Sequence, residues 1–437
     1  MPSQTELLLD RANALVDAAK RAGADASDAV SVLSRSRSVS VRNGSVEKTG
    51  ASESDSMSLR VFIDGRVASV AADASADPNM LAERAVAMAK VSPPDQFNVL
   101  PDASQIAKTF ADLDMFDDAD VSAEQLTEDA LATEAAALAV GGITNSNGGG
   151  ASAGVGGMVL AASNGFSGTY QGSQFGRSVA VIAGQGTAME RDYDYTAASH
   201  FGDLEAPELV GKRAGERTVK RLNARKMPTQ TVSCVYDPRA ARGILGHLVG
   251  GINGGAVARK STFLRDQMGE QIANAAITIV DDPYIPRNSG SRPFDGEGIA
   301  GERLTMVDAG VLNQWYLSTS VANELGLKTN GRGSRGGTQV GAGSTNVFIE
   351  PGEKTPAELM AELGTGFYVT ELIGQGVNMI TGEYSRGASG YWIENGEIAF
   401  PVSEVTIASN LKDMFMRMIP ANDLERSYAT AAPTLEI

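Results

Sequence analysis

The sequence predicts an α+β protein: antiparallel sheets with helices, in which an N-terminal α/β part precedes a C-terminal, mainly antiparallel β part wrapped around a central helix. Three observations carry this. Asn43-Gly44, Asp64-Gly65 and Asn395-Gly396 each separate apolar-patterned segments, the strongest short-range hairpin signal. Other stretches repeat apolar residues at helical spacing and begin on a capping residue. The glycine-rich residues 141–200 contain strand-like runs, at 158–161, 178–182 and 191–195, and are read as twisted antiparallel strands rather than a linker. A length of 437 residues suits two or three domains. We place them at 1–225, with a further division at about 1–115 and 116–225, and at 226–437.

In chain order, Ser3 and Glu6 form a capping box for a helix over 3–22, with Leu7, Leu8, Leu15, Val16 and Ala19 as its apolar stripe and Gly23 as its stop. A meander follows through the first two hairpin turns. Asp77 caps a helix over 78–90, and an irregular stretch lasts to about 121. Ser122 opens an alanine-rich helix to about 140. The glycines at 148–157 lack the Gly-Lys-Ser/Thr ending of a phosphate loop. A helix over 206–225 closes the N-terminal part. Strands are then expected at 231–236, 275–280, 310–317, 347–349, 369–380, 390–393 and 398–402. A short helix runs from Thr355 to Leu363, and Ser409 or Asn410 caps a final one. Turns are expected at 281–283 and a long glycine-rich loop at 330–343. No repeat of 20–50 residues is present.

The C-terminal part is organised around YDPRAARGILGHLVGGINGGAVARKSTF, residues 236–263. Asp237 suits a cap and Pro238 a first helical turn. Ile244, Leu245, Leu248 and Val249 form an apolar stripe, so this helix is expected to be buried. Gly250, Gly251, Gly254 and Gly255 then break the pattern, which is costly unless the backbone must turn or approach something closely.

Composition excludes several functions. A net charge of −16 argues against direct nucleic-acid binding and against an anionic membrane surface. The one dense basic run, Lys212, Arg213, Arg217, Lys220, Arg221, Arg225 and Lys226, reads as the solvated face of a helix. No window reaches the length of a membrane span and no signal peptide is visible, so a cytoplasmic location is expected. Cys234 is the only cysteine, which rules out an intrachain disulfide and fits a reducing compartment. His200 and His247 are the only histidines and no pair has metal-ligand spacing. His200 has no motif around it and reads as a structural or surface residue.

Several ordered pieces resemble the TldD/PmbA metallopeptidase family, in its PmbA (TldE) branch. They are VRNGSVEKTGASESDSMSLRVFIDGRVAS, GILGHLVGGINGGAVARKSTFLRDQMGEQI, VDDPYIPRNSGSRPFDGEG, GVLNQWYLSTSVANELGLKTNG and TGFYVTELIGQGVNMITGEYSRGASGYWIENGEIAFPV, which together cover most of the chain. The resemblance implies a division of labour. A TldD subunit carries His-Glu-x-x-x-His on the corresponding helix; its histidines and a later cysteine hold zinc, and its glutamate is the general base. Here Gly246 stands at the first histidine, His247 at the glutamate and Gly251 at the second histidine. The region from Tyr384 to Gly390 supplies no cysteine. Positions five apart on an undistorted helix point about 140° apart, so a helix bearing such ligands must end or bend between them, and Gly250-Gly251 is expected to retain that break.

The resemblance therefore implies a zinc-free, non-catalytic subunit with no metal, cofactor or catalytic residue of its own. Zinc belongs to a TldD-type partner, and the substrates are unfolded or extended peptides. Family tasks implied are microcin leader-peptide processing and antitoxin degradation; an older family name is modulator of DNA gyrase. The alternatives are a metal-free peptide-binding protein or homodimer without peptidase action, and a peptidase working through other residues.

Overall fold

A computed structural model describes residues 4–437, so Ser3 of the expected capping box lies outside the described residues. The N-terminal part is one sheet with helices on it. α1 (Gln4–Arg21) buries Leu8, Ala12, Leu15 and Ala19. Leu7 was expected in that stripe but is exposed, because a stripe set by 8, 12, 15 and 19 turns position 7 outward. β1 (Ala26–Arg42), β2 (Ser45–Ile63) and β3 (Arg66–Asp73) form the meander. Asn43-Gly44 and Asp64-Gly65 have positive φ throughout, 50° and 74° in the first turn and 48° and 67° in the second. That is the handedness a tight hairpin needs.

α2 (Pro78–Val91) is capped by Asp77, and α3 (Ala123–Leu138) by Ser122. β4 (Ile143–Ala162), β5 (Ser167–Ala183) and β6 (Glu190–Ala198) confirm strands in the glycine-rich region. Sheet order is β3-β2-β1-β4-β5-β6, antiparallel throughout, so residues on both sides of 115 share one sheet. α4 (Pro207–Lys220) ends five residues earlier than expected. A Cβ added at its Gly211 would lie 2.2 Å from the Thr133 carbonyl oxygen, and one at Gly215 would lie 2.6 Å from Val140 Cγ2. Glycines one turn apart thus let α4 lie directly on α3.

The C-terminal part contains β7 (Cys234–Tyr236), α5 (Pro238–Gly251), α6 (Gly254–Ala258), β8 (Ile279–Asp282), β9 (Leu304–Asp308), β10 (Val311–Leu312) and α7 (Thr319–Leu325). β11 (Gly333–Gly336), β12 (Gln339–Ala342), β13 (Asn346–Ile349), α8 (Pro356–Leu363), β14 (Gly366–Val377), β15 (Glu383–Glu394) and β16 (Glu397–Asn410) follow. α9 (Leu411–Arg417), β17 (Ile419–Pro420), β18 (Thr430–Ala431) and β19 (Leu435–Glu436) end the chain. One sheet runs β16-β15-β14-β7-β19-β17 and another β10-β9-β8-β13-β18, with β11-β12 as a separate hairpin. A single core joins α5 to both larger sheets.

Several expectations need correction. The strand expected at 231–236 is only β7, and that at 310–317 only β10. The loop expected at 330–343 contains the β11-β12 hairpin. Asp281, expected in a turn, is fully buried in β8, where it meets Arg332 at 2.8 Å.

The basic run is also not a solvated face. Lys212 and Lys220 point to solvent, but Arg213 and Arg217 contact Asp194 of β6 at 2.6 and 2.8 Å. Arg221 is buried against Glu190, Asp192 and Glu371, and donates to Ser389 Oγ at 2.7 Å. Arg225 lies over the Phe400 ring at 4.0 Å. Their partners on β6 and on β14–β16 make the arginines a joint between the two parts of the chain.

A second joint is buried. Asp28 of β1 receives both Arg60 and Arg335, the latter at 2.9 Å from 307 residues away. Burial alone would raise the Asp28 carboxyl, but the two guanidiniums outweigh it and hold it at about 2. Beside them Glu297 accepts the Thr319 N–H at 2.7 Å, and burial, with the charge of Asp295, pushes it up to about 7. A folded-state value above the ordinary one means that the native state binds the proton more tightly. The stabilisation from protonation is complete below about 4.5 and is lost as pH rises through about 7. Glu297→Gln is therefore expected to gain about 2–3 kcal/mol on the parent between pH 5 and pH 8, checked by urea unfolding at both values. A difference independent of pH would refute the raised carboxyl.

Candidate functional site

β7 leads straight into α5. Asp237 accepts the Arg239 N–H at 2.9 Å, and its other oxygen receives the Tyr368 hydroxyl at 3.2 Å. Ala240, Ala241, Ile244, Leu245 and Leu248 face the core, as the apolar pattern predicts. The opposite face is nearly bare. A Cβ built at Gly243, Gly246 or Gly250 would meet nothing within 4 Å. At the start of this face Arg242 donates to the Tyr195 hydroxyl at 3.2 Å and lies over the Tyr428 ring at 4.7 Å. These residues line a cavity of about 400 Å³.

The structure separates the three positions singled out by sequence. Gly246 is open. Gly251 is crowded: an added Cβ would lie 2.9 Å from Leu264 Cδ1 and 3.2 Å from Met379 Cε, so the ends of these side chains would have to shift. The break expected at Gly250-Gly251 falls at its far edge, where Gly251 is the last residue of α5. α5 continues through Gly251, and the chain turns at Ile252 and Asn253, whose side chain caps α6. With helical geometry retained, side chains at 246 and 251 would diverge.

His247 lies between these faces. Its ring meets Tyr384 edge-to-face with centroids 6.0 Å apart. Its Nε2 is buried and has no hydrogen-bond partner among the described residues. Burial lowers the His247 pKa and the Arg386 guanidinium lowers it further, so the ring is neutral at pH 7. These positions do not fit a zinc ion: two are glycines and have no donor, and the third is a histidine beside a positive charge. Among the described residues no cluster of three His, Cys, Asp or Glu could hold a metal. Cys234 is buried, which pushes its thiol up to about 12 and leaves it a poor nucleophile or ligand. His200 is a structural residue at a seam, its Nε2 2.9 Å from the Asp114 carbonyl oxygen.

Sequence reading did not identify Tyr384, Arg386, Tyr195 or Tyr428 as neighbours of α5. They come from distant strands and loops, and no local motif marks them.

His247→Phe tests the orphaned nitrogen. Phenylalanine keeps the contact with Tyr384 and removes a buried group whose lack of a partner costs about 1–3 kcal/mol. The variant is expected to unfold at equal or higher urea concentration than the parent. A loss of more than about 2 kcal/mol would mean that Nε2 has a partner in solution.

This fold presents a central helix from a mixed sheet, with one face of that helix packed in the core and the other nearly bare. Three family models match along the chain: PmbA/TldA metallopeptidase domain 1 over residues 28–89, the central domain over 116–222 and the C-terminal domain over 229–437. The chain belongs to the PmbA/TldD metallopeptidase family, in its PmbA (TldE) branch. It is 40% identical to metalloprotease PmbA of Escherichia coli O157:H7, covering 89% of this chain and 85% of that protein. It is 35% identical to a PmbA homologue of Haemophilus influenzae, covering 97% and 93%. A solved structure from Bacteroides thetaiotaomicron, named for modulation of DNA gyrase, superimposes with a TM-score of 0.90 at 27% identity, over 98% of this chain and 97% of that one. TldE from Thermococcus kodakarensis shares the fold, with a TM-score of 0.87 at 20% identity over 98% of each chain. A family-level role in proteolysis follows. No helix among the described residues is long and apolar enough to cross a membrane.

Proposed function

We propose that this chain is the zinc-free subunit of a two-subunit zinc peptidase, pairing with a TldD-type chain that holds the metal and the general base. The observation that carries the reading is the state of α5: Gly246 open and without a donor, His247 neutral and half-buried, Gly251 crowded by Leu264 and Met379 and likewise without a donor. The helix keeps the family position and lacks the family chemistry. Its bare face suits an unfolded or extended peptide, whose backbone needs close approach and little side-chain recognition. The reading includes a cytoplasmic location, the domain division at 225/226 and peptide processing as the task. It includes no catalytic, metal or cofactor residue in this chain and no direct contact with DNA, which its charge disfavours.

The test is reconstitution. The chain is mixed with a TldD-type subunit from the same genome, and cleavage of an unfolded peptide is followed with each subunit alone and with both. Cleavage only by the mixture, abolished by a chelator, is expected. A chain that forms no complex and changes no cleavage rate would instead be a metal-free binding protein or homodimer. Stoichiometric zinc in the chain purified alone would overturn the assignment of Gly246, His247 and Gly251.

A further inference from the structure

A second cavity, of about 470 Å³, lies away from the open face of α5. It is formed where the chain crosses its own sheet. Arg225 pairs with the outer edge of β16, its N–H donating to the Pro401 carbonyl at 2.9 Å and its carbonyl accepting from Ser403 N–H at 3.3 Å. The chain rejoins the sheet at β7, three strands away. Residues 226–233 therefore form a strap that must span about 14 Å over β15 and β14. Beneath it Phe367, Trp392, Val402, Ile407 and Met414 make an apolar floor.

Two further features point to an occupant. The backbone N–H and C=O groups of residues 229–232 have no hydrogen-bond partner among the described residues, and the edge of β16 beyond Ser403 is likewise unpaired. Strap and edge both line the cavity. Arg417 also lines it, projecting from the last turn of α9 three residues after Met414. Its guanidinium has no ion pair or hydrogen bond among the described residues, while the other charged side chain lining the cavity, Glu404, is already held by Lys226 and the Ile437 main-chain oxygen accepts the Cys234 N–H. A free guanidinium at the mouth of an aromatic-floored cavity is complementary to a carboxylate carried on an apolar group.

We propose that this cavity binds the C-terminal residue of an extended peptide. The apolar side chain rests on Trp392 and Phe367, the free carboxylate meets Arg417, and the peptide backbone pairs with the strap or the β16 edge. The site needs no residue of α5 and no partner subunit, so it stands or falls separately from the pairing with a TldD-type chain.

The chain has two tryptophans, and Trp392 is in the floor, so its fluorescence reports occupancy. The purified full chain is titrated with N-acetyl-Ala-Ala-Leu as the free acid, with the same peptide amidated at its C-terminus, and with dodecanoate. Saturable binding of the free acid, about tenfold tighter than the amide, is expected. Arg417→Gln should reduce acid binding to the amide level, leave amide binding unchanged and leave the melting temperature unchanged, since the side chain is exposed. Trp392→Phe should remove the signal while calorimetric binding persists. Equal affinity for acid and amide, or no saturable binding by either, would overturn the proposal. Binding of dodecanoate without either peptide would overturn the peptide assignment and mark the cavity as a fatty-acid site.

Discussion

Arg332→Ala is expected to destabilise the protein by about 3–5 kcal/mol, the cost of leaving a buried charge without its partner. Arg332 and Asp281 both have 0% side-chain exposure. The guanidinium donates to Asp281 Oδ1 at 2.8 Å, to the Asp281 carbonyl at 3.2 Å and to the Glu302 carbonyl at 2.6 Å, with weaker bonds to the Asn330 and Gly331 carbonyls. Asp281 also accepts the Thr345 N–H at 2.8 Å and the Thr345 hydroxyl. This one side chain ties β8 to the loop before β9 and to the start of β11. Alanine leaves Asp281 charged, buried and held only by Thr345. Urea unfolding of the variant at pH 7 measures the effect. The double variant Arg332→Met with Asp281→Leu should recover much of the loss, because removing both charges also removes the desolvation penalty. A loss under about 1 kcal/mol in the single variant would show that the pair is hydrated in solution.

Leu248→Asp is expected to cost a similar amount, again about 3–5 kcal/mol, through an unpaired buried carboxylate. Leu248 is 1% exposed on the core side of α5. The measurement is the melting temperature beside that of Gly246→Asp, which places the same charge on the open face. Gly246→Asp should be tolerated to within about 1 kcal/mol, because glycine is a poor helix former and the added side chain meets only solvent. Equal melting temperatures would contradict the two-faced character of the helix on which the functional reading rests.

Much of the fold was legible because its signals are local. The three Asn-Gly and Asp-Gly turns, the caps at Asp77, Ser122, Asp237 and Thr355, and the apolar stripe of α5 each lie within a few residues of what they determine. The errors arose where distant partners decide. Arg213, Arg217 and Arg221 look like a solvated helical face until Asp192 and Asp194 of β6 and Glu371 of β14 are brought beside them. The β11-β12 hairpin has a loop composition and is held instead by Asp295, which accepts the Gly333 N–H at 2.7 Å, and by Arg335 on Asp28. The glycines of α5 were read as a break, because glycine disfavours helix. By contrast with the arginines, that reading places the end of the helix closely, since α5 stops at Gly251 with Ile252 as its C-cap.

By itself the sequence determined the family, the fold class and the residue types available at the altered motif, since side-chain chemistry is present or absent whatever the fold. A chain with glycine at 246 and 251 cannot present imidazoles there. Only the tertiary structure decided which of those positions is open and which is crowded. It also decided that His247 is neutral and pressed on Tyr384, and that the buried charges of Asp28, Arg60, Arg335, Asp281 and Arg332 are paired. The physical reason is the same in each case. Burial and pairing are properties of contacts between residues tens to hundreds of positions apart, and no local pattern encodes the distance between them.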